Sequence, residues 1–225
     1  MSERQGITEA VHVFEGHRAF VEAMKIVEDS RYKIGTREFL INLIDHWAFE
    51  LTGVYPPGTP LEIGVAHPIR RVAHLLTLIM QEYPGADVLG GIFSIYKFED
   101  RGTAFFPTSR AVGELMARLL NSGKSNNSYY EPCCGTAGIS MQLILERWSS
   151  LGMEGFQNFR IHLEDIDPLM VKASLIQLNN LFVALDVSPA SLLISQIDVL
   201  SRNAGQIQYY LERAPGCLPS LKRED

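Results

Sequence analysis

The second half of the chain alternates short apolar runs with helix-like segments, and this alternation constrains the fold more than any other feature. A strand is predicted to end near Pro132, and a helix follows at about Gly138–Trp148. A second strand is predicted at Phe159–Asp165, a helix at Pro168–Phe182 and a third strand at Ser191–Leu200. Strands and helices in this order predict a parallel sheet of the α/β class.

The first hundred residues are predicted to be helical instead. Apolar residues recur at three-to-four spacing in Val11–Glu28, and a second helix is predicted at Thr36–Leu51, with its threonine as the N-cap. Tyr55–Pro60 predicts a loop. A third helix is predicted at Pro68–Glu82, since proline suits the first turn. The apolar segment Asp87–Asp100 fits either a helix or a strand.

Composition limits the class of protein. The chain of 225 residues is 46% hydrophobic and 20% charged, which is ordinary for a globular protein. No apolar run has the length of a membrane span, and the polar first residues do not resemble a signal peptide. Three cysteines without a CxxC pair favour a reducing compartment. We expect a cytoplasmic protein with a helical domain at 1–100 and an α/β domain at 101–225.

The charge distribution argues against a generally basic nucleic-acid-binding surface. The net charge is −6, and residues 1–100 hold 9 Lys and Arg against 14 Asp and Glu. Binding to nucleic acid neutralises phosphates with clustered Lys and Arg. Any contact with DNA would therefore use a local patch or the help of a partner.

A glycine turn follows the first predicted strand, at Gly135–Gly138. It is not the dinucleotide fingerprint GxGxxG, and Gly123–Ser125 is not a P-loop because Arg118 stands where the first glycine belongs. A glycine turn at the carboxyl end of a strand lets a ligand approach the backbone closely. Glu131, just before the turn, suits a cationic or amine-bearing ligand better than a phosphate. Tight packing of helix on strand, without a ligand, is an equally good interpretation of this segment alone.

Carboxylates mark the ends of the next two predicted strands. Glu164, Asp165 and Asp167 cluster after the second strand, where a carboxylate can accept from both hydroxyls of a ribose. Helix capping is the alternative. Asp198, near the end of the third strand, could accept from the exocyclic amine of adenine or cap the strand end. Because the carboxyl ends of parallel strands meet at one edge, these sites together predict a ligand crevice.

Residues 87–200 resemble the N6-adenine DNA methyltransferase family, of the kind found as modification subunits of type I restriction systems. The segments that carry the resemblance stand in the family's order: Asp87–Phe98, Gly102–Leu120, Glu131–Gly138, Glu164–Leu181 and Gln196–Leu200. The resemblance implies an incomplete Rossmann-like methyltransferase domain and S-adenosylmethionine as cofactor. It also implies methyl transfer to adenine in DNA within a restriction–modification system.

The resemblance also implies which residues hold the cofactor. EPCCGTAG matches the family's cofactor loop, where the sulfonium and amino acid ends of S-adenosylmethionine need a close backbone and a carboxylate. The implied residues are Phe106, Pro107 and Thr108 over the methionine part, Glu131, Cys134, Gly135 and Gly138 in the loop, Asp165 at the ribose and Asp198 at the adenine. Glu164 is the alternative at the ribose, because the alignment can slip by one residue.

The chain departs from the family's pattern in several places. Pro107-Thr108 reverses the family's Thr-Pro, Ala137 replaces the second loop glycine, and Glu131 stands where aspartate is usual. The catalytic Asn/Asp-Pro-Pro-aromatic tetrapeptide, which accepts from the target amine and stacks on the flipped base, is not found after Asp198. The catalytic residues are therefore unknown.

Three functions stay open at this stage. The first is a DNA adenine methyltransferase that completes its site with a partner chain or with an unfamiliar substitute in residues 201–225. The second is a non-catalytic relative that binds the cofactor, DNA or a partner and acts as a regulator. The third is a small-molecule or protein methyltransferase. Only three core strands are predicted, and an unpaired edge strand would favour a homo-oligomer or a partner subunit, while no membrane association is expected.

Overall fold

The computed structural model describes residues 16–58, 60–98, 106–121 and 127–213, and within them the protein is a mixed α/β fold. The predictions that fall on residues 1–15, 99–105, 122–126 and 214–225 lie outside this description. The elements are α1 (Arg18–Ile34), α2 (Thr36–Thr52), α3 (Ile63–Glu82), α4 (Val88–Ile95), α5 (Arg110–Asn121), β1 (Ser128–Pro132), α6 (Gly138–Phe156), β2 (Arg160–Asp165), α7 (Pro168–Leu185), β3 (Ser191–Ile197) and β4 (Ala204–Glu212).

The sheet confirms the predicted α/β class and contains one strand more than expected. Its order is β1-β2-β3-β4, with β1, β2 and β3 parallel and β4 antiparallel to β3. The prediction of three core strands missed β4 because most of its residues are exposed, so that it lacks a clear apolar alternation. Among the described strands β1 pairs only with β2, which leaves β1 at an edge of the sheet.

The two faces of the sheet differ in burial. Leu163 and Ile194 point to one face and are fully buried, and α7 packs on β2, β3 and β4. Right-handed connections place α6 and α7 on the same side of a parallel sheet. Tyr130 and Tyr210 point to the other face and are 47% and 59% exposed. Within the described part of the chain, helices therefore cover one face of the sheet and leave the other open.

The helical first half packs directly on α7. Helices α2 and α3 both contact α7, and α1 packs across α2 and α3. One continuous hydrophobic core joins these helices to the sheet, and it includes Phe39, Leu76 and Ile176. Lys172 on α7 also forms an ion pair with Asp45 on α2, with Nζ and Oδ1 2.8 Å apart. Helices α2 and α3 therefore stabilise the sheet through their packing on α7.

Helix α7 is apolar enough to raise the question of a membrane span. Among the described helices it is the one that is long and apolar enough to cross a membrane. However, 61% of it is buried inside the protein. Its contacts with α2, α3 and three strands explain the apolar composition. Helix α7 is therefore buried between the helices of the first half and the sheet.

Helix α2 begins at Thr36, as predicted, but its predicted N-cap and the predicted start of α3 are wrong. The N-cap of α2 is Gly35 and not Thr36, and no side chain caps this helix. Helix α3 begins at Ile63, five residues before the predicted start, so Pro68 lies inside it. The first turn already bonds to the Glu62 carbonyl, and the helix tolerates the proline at the loss of one main-chain hydrogen bond.

The observed ends of α6 and β3 also differ from the predicted ones. Helix α6 runs to Phe156, well past Trp148, and continues across a kink at Gly152, where φ is 66° and ψ is −176°. Strand β3 ends at Ile197 rather than at Leu200. The residues after β3 form a turn that leads into β4, and no sequence periodicity separates this turn from the strand before it.

Candidate ligand site at the carboxyl edge of the sheet

The glycine turn joins β1 to α6 through an unusual backbone. Cys133, Gly135 and Ala137 have φ values of 58°, 53° and 69°. Cysteine and alanine adopt this left-handed region at a cost of about 1–2 kcal/mol each, because their Cβ atoms crowd the backbone. Such conformations persist only where surrounding contacts hold them, and they cluster at ligand sites. The turn is therefore held in place by its neighbours.

Asp165 is one of these neighbours, and it was predicted as a site residue. Gly135 N donates to Asp165 Oδ2 at 2.8 Å, and Asp167 N donates to Asp165 Oδ1 at 2.9 Å. The Cys134 N–H also donates to the Glu164 carbonyl at 2.9 Å. Both carboxylate oxygens of Asp165 are thus engaged by backbone N–H groups, and the residue is 8% exposed. The turn and the end of β2 therefore form one contiguous surface.

Glu164, the alternative to Asp165, is engaged elsewhere. Its side chain is fully buried, and its two oxygens accept from Arg202 Nη1 and Nη2 at 2.7 and 3.0 Å. Tyr130 donates its hydroxyl to the same carboxylate at 2.6 Å. Hydrogen bonding by Arg202 is the main reason that the pKa of Glu164 is lowered. Its carboxylate thus holds the open face of the sheet together and does not contact the glycine turn.

Replacing Glu164 with Gln is expected to lower the free energy of unfolding at neutral pH. It should also make that free energy less dependent on pH in the acid range. The folded state lowers the pKa of Glu164 from the ordinary 4.5. Its stabilisation is therefore present above that value and is lost as the pH falls through the folded-state pKa. Urea unfolding of both proteins at pH 7 and at pH 3.5 measures this effect.

The stability difference between wild type and Glu164→Gln should shrink at the lower pH. Burial raises the pKa of Glu131 and of Asp165, so the pH dependence that these two groups give to stability has the opposite sign. Both groups are present in wild type and in the variant, and their contributions cancel in the difference between the two unfolding free energies. An equal difference at both pH values would contradict the assigned role of Glu164.

Glu131 lies inside the junction of β1 and α6. It is 8% exposed, and it accepts from the hydroxyls of Tyr129, at 2.8 Å, and of Ser140. Burial raises its pKa. The predicted loop carboxylate is thus present at the turn, but it is enclosed and already hydrogen-bonded.

Asp198 follows β3 and organises the turn into β4. Its carboxylate accepts from Leu200 N at 3.0 Å and from Ser201 Oγ at 2.6 Å, and hydrogen bonding by Ser201 is the main reason that its pKa is lowered. The capping alternative is therefore realised in the structure. The pairing of Asp165 with Gln196 across β2 and β3 places Asp198 just beyond the same strand ends.

The Cys133 thiol shows that the three strand ends lie close together. Burial raises its pKa most, and the negative charges of Asp165, Glu131 and Asp198 raise it further, in that order. Coulomb interactions weaken with distance and are screened in water. Carboxylates at the ends of β1 and β2 and just after β3 therefore all lie near enough to the Cys133 thiol to act on its charge.

The residues predicted to cover the methionine part stand at the start of α5. A Cβ atom at Gly113 on α5 would lie 3.3 Å from Gln142 Cγ and 3.9 Å from the Gly138 carbonyl oxygen. The first turns of α5 and α6 are therefore side by side. Phe106, Pro107 and Thr108 lead into α5 on this side, and Phe106 is 78% exposed.

Sequence analysis missed three polar residues at the turn. Segment 87–100, for which helix and strand stayed open, contains α4, and Asp87 is its N-cap. Thr136 Oγ1 and Gln177 Nε2 both donate to the Asp87 carboxylate at 2.9 Å. Asp87 retains some solvent exposure as a residue, while burial of its carboxylate raises its pKa. An aspartate before an apolar run is a helix-cap signal, but its partners are far away in sequence.

A groove of about 490 Å³ lies at the opposite end of the sheet. Its wall is formed by the ends of α6 and α7, the start of β3 and the end of β4, and includes Met153, Phe182, Val183, Leu192 and Leu211. It is mostly apolar and far from the glycine turn along the strands. The groove therefore does not belong to the predicted site.

Comparison of the chain with protein-family models, with curated proteins and with solved structures returned no match. Among the residues that the structure describes, no group of three or more His, Cys, Asp or Glu side chains could hold a metal ion. The molecule is thus a mixed α/β protein whose glycine turn and acidic strand ends lie together.

Proposed function

We propose that the protein binds S-adenosylmethionine at the carboxyl edge of its sheet and is related to Rossmann-like DNA adenine-N6 methyltransferases of modification systems. The contact between Gly135 N and Asp165 Oδ2, at 2.8 Å, carries this proposal. It joins the two segments that the family resemblance assigns to the cofactor loop and to the ribose-binding acid.

The chemistry around the turn suits this ligand class. S-adenosylmethionine has a sulfonium cation and an amino group; the Asp165 carboxylate contacts the turn directly, and the charges of Glu131 and Asp198 also act on Cys133 at its start. The left-handed backbone of the turn lets a ligand approach the main chain. In the proposal the Asp165 carboxylate accepts from the ribose hydroxyls in addition to its backbone donors. A ligand dominated by phosphate charge would be repelled by the same carboxylates.

Residues 1–225 would supply the cofactor site, and the recognition of the target base is not assigned to them. Methyl transfer needs the methyl group held in line with the target nitrogen. The chain contains no Asn/Asp-Pro-Pro-aromatic tetrapeptide to hold that base. The net charge of −6 also favours a partner that supplies the basic surface for DNA.

Isothermal calorimetry tests the ligand. Titration with S-adenosylmethionine should give saturable one-site binding, and titration with ATP, which shares the adenosine but carries phosphates, should give none. Absence of saturable heat at millimolar S-adenosylmethionine would contradict the proposal. Transfer of a tritiated methyl group to unmethylated DNA, with and without a candidate partner chain, then separates an enzyme from a binding protein.

A second candidate function is a non-catalytic regulator that binds a partner through the sheet. Among the described strands β1 and β4 each pair with one neighbour only, and the exposed face of the sheet between them favours this function. Unpaired strand edges recruit further strands from other chains. In this case the cofactor site would serve regulation and not methyl transfer.

We expect the purified protein to associate through β1, as a homo-oligomer or with a partner subunit. Light scattering over a concentration series should show a mass above that of the monomer. Tyr130→Lys should weaken the association because it places a charge at the open edge. Tyr210→Lys places the same charge on β4, the edge strand at the other side of the described sheet; it should have little effect, and a larger loss of association there would assign the contact to β4. A strictly monomeric wild type at high concentration would count against this expectation.

A further inference from the structure

Asp87 joins three distant segments through one carboxylate. Its oxygens accept from Gly90 N on α4, from Thr136 Oγ1 in the glycine turn and from Gln177 Nε2 on α7, each at 2.9 Å. Thr136 and Gln177 are 2% and 1% exposed, so these bonds are shielded from water. The helical first half of the chain thereby contacts the glycine turn directly.

Gln177 completes the connection. Its Nε2 also donates to the Thr136 carbonyl at 2.5 Å, and its Oε1 accepts from Leu89 N at 3.1 Å. Both polar groups of Thr136, the hydroxyl and the carbonyl, are therefore fixed. Thr136 lies between Gly135 and Ala137, which both have positive φ. Fixing the residue between them holds the left-handed backbone of the turn in place.

The space around Asp87 is filled. A Cβ atom at Gly138, the first residue of α6, would lie 3.0 Å from Asp87 Oδ2, and one at Gly90 would collide with the same carboxylate. The preceding segment is tied to α6 as well, because Gln142 Nε2 donates to the Gly85 carbonyl at 2.6 Å. The carboxylate thus has one available position, against the turn.

We infer that Asp87 is the positioning residue of the glycine turn, so that the helical half of the chain sets the geometry of the ligand site. Asp87 acts through Thr136 on Gly135, whose N–H meets Asp165. It is not proposed to touch the ligand. The inference rests on the proposed function for its effect on ligand affinity, but its effect on the turn is independent of any ligand.

Asp87→Asn tests the inference, with Asp45→Asn as the matched control. The amide keeps the shape but replaces an acceptor with a donor that faces Thr136 or Gln177. Asp45 also joins the helical half to α7, through Lys172, without contacting the turn. Asp87→Asn should weaken S-adenosylmethionine binding about 10-fold or more in calorimetry on the folded protein. Asp45→Asn should leave the affinity within about twofold of wild type.

Hydrogen exchange of the ligand-free proteins gives the second readout. Asp87→Asn should speed amide exchange in the turn, at residues 134–138, more than elsewhere, and Asp45→Asn should not. Thr136→Val should reproduce the effect of Asp87→Asn, and the double variant should be no worse than either single one.

Two results would overturn the inference. One is amide exchange at residues 134–138 that is no faster in Asp87→Asn than in Asp45→Asn, which would mean that Asp87 stabilises the fold in general and not the turn. The other is wild-type affinity in a folded Asp87→Asn protein. A wild type that binds no S-adenosylmethionine would instead sink the proposed function, and the exchange experiment would still decide the role of Asp87.

Discussion

Gly135→Asp is expected to abolish measurable S-adenosylmethionine binding while leaving the protein folded. Gly135 has a φ of 53°, and its N–H donates to Asp165 Oδ2 at 2.8 Å. The new carboxylate would stand beside Asp165, where like charges repel, and would block the approach of a ligand to the backbone. We expect an affinity loss of at least about 100-fold, or about 2.7 kcal/mol, in calorimetry.

Gly53→Asp is the matched control for this substitution. Gly53 has a φ of 70° at the C-cap of α2, and no atom lies within 4 Å of the Cβ position. The same residue is thus introduced into a similar left-handed backbone, far from the turn. Gly53→Asp should lose thermal stability through backbone strain alone, Gly135→Asp should lose more because of the nearby Asp165 carboxylate, and only Gly135→Asp should lose binding. Equal affinities for the two variants would mean that the turn does not contact the ligand.

Asp165→Asn should have the second largest effect. Both oxygens of Asp165 accept backbone N–H groups, from Gly135 and from Asp167. An amide nitrogen cannot accept, so one of these N–H groups would face another donor, at a cost of about 1–3 kcal/mol in unfolding free energy. The turn would move from its position, and the ribose would lose an acceptor. Binding should fall about 100-fold.

Glu164→Gln separates the two alternatives for the ribose acid. Glu164 is bonded to Arg202 and Tyr130 on the open face of the sheet. Its replacement should destabilise the protein at neutral pH and leave the affinity for S-adenosylmethionine near that of wild type. The reverse pattern, with binding lost in Glu164→Gln and retained in Asp165→Asn, would reassign the ribose contact. The two variants are best measured in parallel on folded protein.

The strands and helices around the turn were predictable because their signals are local. The turn between β1 and α6, and the proline at the first turn of α7, both follow from short segments of sequence. The choice between Glu164 and Asp165 was not predictable. Adjacent residues on a strand point to opposite faces, and the partner that engages Glu164 is Arg202, on the far side of β3.

Strand β4 and the Asp87 contacts lay beyond sequence reasoning for a similar reason. The exposed residues of β4 give little apolar periodicity, and pairing with β3 is what makes it a strand. Asp87 meets Thr136 and Gln177, which are 49 and 90 positions away along the chain. Only folding brings them together. The residues around Asp87 indicate a helix cap, but they do not indicate its contact with the glycine turn.

Amide chemical shifts recorded during a titration with S-adenosylmethionine would locate the ligand. We expect saturable shifts at residues 134–138, 165–167 and 198–200, which surround the turn and the strand ends. The amides of Phe182 and Leu211, at the groove on the opposite end of the sheet, should stay unchanged. Shifts confined to that groove, or no shift at all at millimolar ligand, would contradict a cofactor site at the glycine turn.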